Sequence, residues 1–365
     1  MKVTQVLYSG LGGHGSVVNS LILADEEMKW EHQLVYYGIE ELLPAYQRFC
    51  HSHSVPYRFI RKKKGLFRLP GKDVITAFVG QNPDIIILHS PTLIIPAWLY
   101  SFFFRKKLFV VEHTSHTTKG KPEKFASFLS LLLAYKVVCL SENYRKEFQK
   151  NIPFLNLKKR VAIIRNGINL TVFSPGAGRT NSEFHIGMAG RLNAPKNQQM
   201  IIELAIEGFA KGNLDCNVHF HFAGVGDQLE NLKHTVTTHN LNDQIHFHGL
   251  LEESEMIGFY RSLDLYMHAS FAETMCTSVM QAMACGVPVI GSDIPGINDL
   301  LPENDECIKL LPNQSEQQWM NNLLLYIKDS ALRKTRAISA RNAALKFFSI
   351  ETTFKEYSNL IINKK

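Results

Sequence analysis

Arg191 and Lys196 stand five positions apart in GRLNAPKNQQM, where a strand-like run gives way to a helical one. Pro195, just before the lysine, fits the first turn of that helix. Two cations at a strand-to-helix loop can hold a diphosphate, the arginine as a bidentate fork and the lysine as a point charge. Singly, each would more often be a surface cation. Glu273 lies in AETMCTSVMQAMACG, eight residues ahead of Gln281, in the loop after the strand-like LYMHAS. Strand-end loops are where an α/β fold usually places its ligand contacts. The plain local reading of this stretch is a helix from about Val279 to Cys285. Ser278 would be its N-cap, Gln281 the capping-box partner three residues on, and Gly286 its C′ residue. That reading leaves Glu273 unexplained.

Near the N-terminus GLGGHG, Gly10 to Gly15, satisfies G-x-G-x-x-G between a strand and a helix. Hydride chemistry on a dinucleotide would also need an acid closing the second strand to hold the ribose. QLVYYG closes instead on Gly38, with Glu40 two residues later, so that chemistry is set aside. Gly12 and Gly13 still allow backbone N–H groups to approach an anion at a helix start, although a tight turn with nothing bound fits equally. His219, His221, His246 and His248 alternate along two strands without an acid or cysteine at ligand spacing, and read as sheet residues rather than metal ligands.

The elements that carry these residues alternate β and α. VTQVLYS, HQLVYY, YRFI, DIIILHS, LFVVEH and KVVCLS are followed, after a stretch rich in Pro, Gly, Ser and Asn, by FHIGMAG, VHFHFAG, IHFHG, DLYMHAS, VPVIGS and CIKLL. Such alternation predicts parallel sheets, and the length exceeds the roughly 250–300 residues at which one core stops growing. Two doubly wound domains are expected: 1–165, a linker over 166–182, and 183–345. A C-terminal helix over 346–365 is expected to pack back on the first domain.

Residues 1–175 carry 24 Lys and Arg against 12 Asp and Glu, whereas 176–365 carry 16 against 21. The basic runs are Arg61 to Lys64, Arg105 to Lys107 and Lys158 to Arg160. This field suits anionic lipid head groups or an acidic substrate, while nucleic acid lacks an accompanying recognition motif. Trp98, Tyr100 and Phe102 to Phe104 beside the second run fit a helix in the head-group region, or an ordinary buried crossover helix. TLIIPAWLYSFFF contains a proline and falls short of the ~20 residues of a membrane span. The N-terminus shows no signal segment, and six cysteines without a C-x-x-C pair argue against zinc or redox motifs. A cytoplasmic setting is expected, peripheral on the inner face of the cell membrane.

GRL with PKN, then FAGVGD, IHFHG, YRSLDLYMHAS, FAE and QAMACGVPVIGSDIPG, resemble in order and spacing the retaining glycosyltransferases of family 4. The N-terminal GG loop, VVEHTSH and IIRNGIN are similar to that family too. The resemblance implies the GT-B fold, with two Rossmann-like domains facing each other across a cleft. It implies that Arg191 and Lys196 grip the diphosphate of a nucleotide sugar. Glu273, the first Glu of the E-x7-E motif, would hold donor-sugar hydroxyls, and the backbone N–H groups of Met275, Cys276 and Thr277 would complete that pocket. His113 matches a histidine that reaches the reacting sugar, and Gly12 and Gly13 a loop facing the diphosphate. Gln281 departs from the family's second Glu, the ribose contact, which puts the nucleotide preference in doubt.

No D-x-D occurs, so no metal or other cofactor is expected and side-chain cations must carry the phosphates. The implied activity is retaining transfer of a hexose or N-acetylhexosamine from a nucleoside diphosphate, UDP by preference, to a lipid-linked glycan in bacterial O-antigen or capsule assembly. The alternatives are a soluble small-molecule transferase, an epimerase on the same fold, or a non-catalytic sugar-nucleotide binding protein.

Overall fold

The computed structural model describes residues 1–10, 12–62, 70–115, 118–177, 183–302 and 307–362. Lys63 and Lys64 of the first basic run, residues 178–182 of the expected linker and 363–365 at the C-terminus lie outside these. Two units are present, one built from residues 1–167 with 350–365 and one from 168–349.

Runs such as IIIL and KLFVVE have no polar face to give to water, so they become the central strands of parallel sheets covered by crossover helices. Among the described residues of the first unit seven strands form: β1 (Lys2–Tyr8), β2 (Glu31–Gly38), β3 (Tyr57–Arg61), β4 (Ile85–Leu88), β5 (Lys107–Glu112), β6 (Lys136–Cys139) and β7 (Val161–Ile163). Their order is β3-β2-β1-β4-β5-β6-β7, with all neighbours parallel. Strand β7 was not expected; it has three residues at a sheet edge, too few to show a period. Val110, Phe78 and Phe148 pack on one face of the sheet, and Leu34, Tyr36 and Tyr46 on the other. The helix Ile350–Ile362 belongs to this unit. Its Phe354 ring lies 4.7 Å from Trp30, and Thr353 Oγ1 donates to the Arg165 carbonyl at 3.1 Å.

The described residues of the second unit form six strands: β8 (Phe184–Ala189), β9 (Val218–Ala223), β10 (Ile245–Gly249), β11 (Leu265–His268), β12 (Val289–Ser292) and β13 (Ile308–Leu311). They run parallel in the order β10-β9-β8-β11-β12-β13. Alternation along VHFHFA sorts the two faces. Val218, Phe220 and Phe222 join a core with Trp319, while His219 and His221 face the other way. There His185 Nδ1 is 2.8 Å from His221 Nε2, and His221 Nδ1 is 3.0 Å from His248 Nε2.

The segment read as the start of a linker is held by the second unit. Ile168, Leu170 and Phe173 are buried, and Arg341, from helix Ser330–Phe347, donates to the carbonyls of Phe173 and Ala284 at 2.9 and 2.7 Å. The unit boundary therefore falls after Gly167, and the chain returns to the first unit after Ser349. Strand order reverses between β1 and β4 and between β8 and β11, the switch points where parallel sheets open a crevice. No helix among the described residues is long and apolar enough to cross a membrane.

Candidate active site

At the switch point of the second unit, the loop after β8 carries Arg191 and Lys196 and the loop after β11 carries Glu273. The first loop is shaped by close backbone approach. A Cβ on Gly224 would lie 2.0 Å from the Gly190 carbonyl oxygen, and one on Gly226 2.0 Å from that of Leu192. Only glycine at both positions lets the FAGVGD turn lie against the GRL loop. Pro195 and Lys196 sit in a short 3-10 turn, Ala194–Lys196, rather than in the first turn of the following helix. Asn197 adopts φ +55° and separates the turn from helix Gln198–Ala210.

Two hydrogen bonds tie the loops together. Phe271 N–H donates to the Pro195 carbonyl at 2.9 Å, and Asn197 Nδ2 donates to that of Ala269 at 3.1 Å. They bring Lys196 Nζ into a direct ion pair with Glu273 Oε1. Glu273 Oε1 also accepts from His268 Nε2 and Ser270 Oγ, each at 2.8 Å. Burial alone would raise the Glu273 carboxyl; the Lys196 ammonium and the His268 imidazole outweigh it and hold the group ionised, well below the usual carboxylate range. Lys196 is likewise lowered by burial and raised overall by Glu273.

His268, which the sequence reading passed over, is completely buried. Tyr266 Oη donates to the Ala189 carbonyl and accepts from the Ala189 N–H, both at 3.1 Å. Its one proton thus spent, it can only accept from His268 Nδ1, 3.3 Å away. Nε2 faces the Glu273 carboxylate, an acceptor only. Both ring nitrogens therefore carry protons and His268 is an imidazolium. Burial opposes this charge, but Cys276 and Glu273 reverse it and raise His268 to about 9.

The local helix reading is corrected. The helix runs Thr277–Ala284, with Cys276 at the N-cap and no side-chain cap, so neither Ser278 nor Gln281 forms a capping box. With the start moved two residues back, Gln281 falls on the inward face, where its Oε1 accepts from the buried Tyr260 hydroxyl at 3.0 Å. Gly286 does end the helix, at φ +73°. The Cys276 N–H donates to the Gly296 carbonyl at 2.9 Å, so it is not available to complete a pocket as expected. Thr277, the first helical residue, has no intrahelical acceptor for its N–H; Met275 is buried beside it.

In the first unit, Gly12 is extended and precedes helix Gly13–Leu23. His113 follows β5, and its Nε2 lies 2.9 Å from His89 Nδ1, whose ring in turn meets Gln5 Oε1 at 2.9 Å. Burial first, then the neighbouring His14 and Lys119, lower His113 to about 3, so it is neutral at neutral pH. Glu112, immediately before it, is buried with Lys119, whose ammonium also donates to Ser127 Oγ at 2.8 Å and Tyr144 Oη at 3.0 Å. His89 and Lys119 were not singled out from the sequence.

The family described as Glycosyltransferase Family 4 matches residues 11–172, and that described as Glycosyl transferases group 1 matches residues 174–344. A GDP-mannose-dependent alpha-mannosyltransferase of Mycolicibacterium smegmatis is 32% identical over 68% of this chain and 66% of its own length. The UDP-Gal:alpha-D-GlcNAc-diphosphoundecaprenol alpha-1,3-galactosyltransferase of Escherichia coli is 24% identical over 70% of each chain. Against several other curated relatives the chain spans less than half of their length. Among solved structures, Anabaena HepE in complex with UDP and glucose superposes with a TM-score of 0.81 at 17% identity, over 99% of both chains. The chain belongs to glycosyltransferase family 4 and is a glycosyltransferase of the GT-B fold.

Proposed function

We propose that the protein transfers a hexose or N-acetylhexosamine from a UDP-sugar to a lipid-linked glycan with retention at the anomeric carbon and without a metal. The observation that carries this reading is the Lys196–Glu273 pair at the β8–β11 switch point, an ammonium and an ionised carboxylate fixed side by side. Arg191 and Lys196 would take the diphosphate, Glu273 the sugar hydroxyls, and the N–H groups of Met275 and Thr277 the rest of the sugar pocket. The Gln281 amide would meet the ribose. Gly12 and Gly13 would offer backbone N–H groups to the diphosphate, and His113, neutral, would hydrogen-bond the reacting sugar.

In the reaction the bond from the anomeric carbon to the diphosphate oxygen breaks and one to the acceptor hydroxyl oxygen forms on the same face. The acceptor's proton passes to the leaving diphosphate oxygen. An imidazole as weakly basic as His113 is a poor general base, which supports leaving-group assistance over base catalysis. UDP as donor is supported by the UDP-glucose complex of HepE and by the UDP-Gal donor in the name of the E. coli relative, whose acceptor is a diphosphoundecaprenol. A membrane-borne acceptor of the kind used in O-antigen or capsule assembly is further supported by Phe102, Phe103 and Phe104, 64%, 73% and 51% exposed beside Arg105.

Calorimetry with UDP, GDP, ADP and NAD tests the donor. Tight binding of UDP, lost in Arg191→Ala and weakened in Gln281→Ala, is expected; binding of NAD alone, or of nothing, would overturn the reading. For the acceptor, transfer confined to small soluble sugars, with no association to anionic vesicles, would refute the lipid-linked assignment.

A further inference from the structure

We propose that His268, Glu273 and Cys276 form a site for Zn²⁺, and that its occupancy withdraws Glu273 from the donor and silences the enzyme. Three elements converge there: the end of β11, the loop after it, and the N-cap of helix Thr277–Ala284. His268 Nε2, Glu273 Oε1 and Cys276 Sγ all lie within 4.8 Å of one another. Nε2 is 2.8 Å from Oε1 and 3.2 Å from Sγ. Around a tetrahedral zinc, with bonds of about 2.0–2.1 Å to nitrogen, 2.0–2.2 Å to oxygen and 2.3 Å to sulfur, these separations become about 3.4 and 3.6 Å. Those two separations need to open by roughly half an ångström, within reach of small side-chain rotations, and Sγ to Oε1, within 4.8 Å here, would settle at about 3.6 Å.

Chemistry selects the cation. A thiolate, an imidazole and one carboxylate suit zinc, whereas magnesium and calcium demand oxygen donors. The imidazole is already braced from behind, since His268 Nδ1 faces the Tyr266 hydroxyl at 3.3 Å, as a metal-bound histidine requires. Ser270 Oγ, 3.0 Å from Nε2, or a water would fill the fourth position. Glu273 and Lys196 side chains remain 10% and 25% exposed, which opens the cluster on its carboxylate side.

Competition with the donor rests on the proposed role of Glu273; the metal site itself does not. Metal-free protein titrated with Co²⁺ as probe should develop a thiolate-to-cobalt charge-transfer band with strong tetrahedral ligand-field bands at one equivalent. Cys276→Ser should lose the former, His268→Gln should weaken both roughly tenfold or more in affinity, and His221→Ala, on the sheet face, should keep both. Absence of a thiolate band, or its survival in Cys276→Ser protein whose metal-free melting is normal, overturns the site. Should Cys276→Ser fail to fold, Cys276→Ala gives the same reading. With a donor that turns over, Zn²⁺ should inhibit the wild type, reversibly on chelation, and inhibit Cys276→Ser far less. Cobalt binding with turnover untouched by zinc would overturn the competition, and a protein with no turnover at all would fault the transferase reading while the cobalt bands still decide the site.

Discussion

Lys119→Met should destabilise the first unit by about 3–5 kcal/mol, the cost of stripping the partner from a buried charge. The Glu112 and Lys119 side chains are 0% and 1% exposed, and Glu112 Oε1 has no hydrogen-bond partner among the described residues. The ammonium also donates to Ser127 Oγ and Tyr144 Oη, but these neutral contacts are worth only about 1 kcal/mol each. Tyr144 Oη, moreover, retains the Thr114 carbonyl at 2.9 Å. Most of the loss must therefore come from the orphaned carboxylate. Glu112→Gln combined with Lys119→Met should return the unit to within about 1–2 kcal/mol of wild type, because the charge that could not be solvated is gone. Native-state hydrogen exchange of peptides spanning β5 and β6 reads the first unit alone. A change under about 1 kcal/mol in Lys119→Met, or a double variant as unstable as the sum of the singles, would refute the reasoning. His113 follows Glu112 directly, so the same variant should lose turnover more than UDP binding, whose side-chain contacts are assigned to the second unit.

Gly296→Ala should weaken donor binding about tenfold or more. The glycine has φ +85°, and a Cβ there would lie 2.5 Å from the carbonyl carbon and oxygen of Glu273, a clash with the backbone that carries the carboxylate; calorimetry with the donor reads it. Tyr260→Phe removes the 3.0 Å bond to Gln281 and should cost about 1–3 kcal/mol in urea denaturation, with weaker nucleotide binding if the amide reaches the ribose. Acid should destabilise the protein early. Burial, then neighbouring imidazoles, lower His221 from 6.5 to about 3, and burial with His14 and Lys119 does the same to His113. Both therefore bind protons more readily when unfolded; their contribution is complete above about pH 6.5 and is lost as pH falls toward 3. Urea midpoints that stay flat between pH 7 and 4, or fall equally in His221→Gln, would contradict this.

Much of the scaffold was legible because it rests on local patterns. All six strands of the second half were readable, VHFHFA from its alternation and VPVIGS from its β-branched run. That Arg191, Lys196 and Glu273 stand in strand-end loops was readable from residue type and spacing. The misreadings share one physical origin. S-x-x-Q had the spacing of a capping box, but the helix start was settled by the Cys276 N–H bonding to Gly296, twenty residues downstream. A distant carbonyl competes with a local hydroxyl, and nothing within the helix reveals it. Lys119 sat in a basic half as one more cation until the fold buried it against Glu112. The cysteine spacing showed no metal motif, and the placing of Cys276 beside His268, eight residues earlier on a strand, follows only from the fold.

His268 also changes the electrostatic meaning of the Lys196–Glu273 pair. Taken alone, an ammonium paired with a carboxylate offers little net attraction to a diphosphate, since each cancels the other's field at a distance. The imidazolium behind Glu273 supplies a further positive charge on the carboxylate's buried side, so Lys196, His268 and Glu273 together keep a net positive charge. An ammonium has three N–H donors; one is spent on Glu273, and two remain for phosphate oxygens. Glu273 can thus stay ionised as an acceptor for sugar hydroxyls without neutralising the lysine that the proposed donor's diphosphate requires. The two loops that hold these charges are fixed to each other by the Phe271 N–H on the Pro195 carbonyl and the Asn197 side chain on that of Ala269. The field is therefore in place before any ligand arrives, which is the condition under which such charges stabilise a departing anion most.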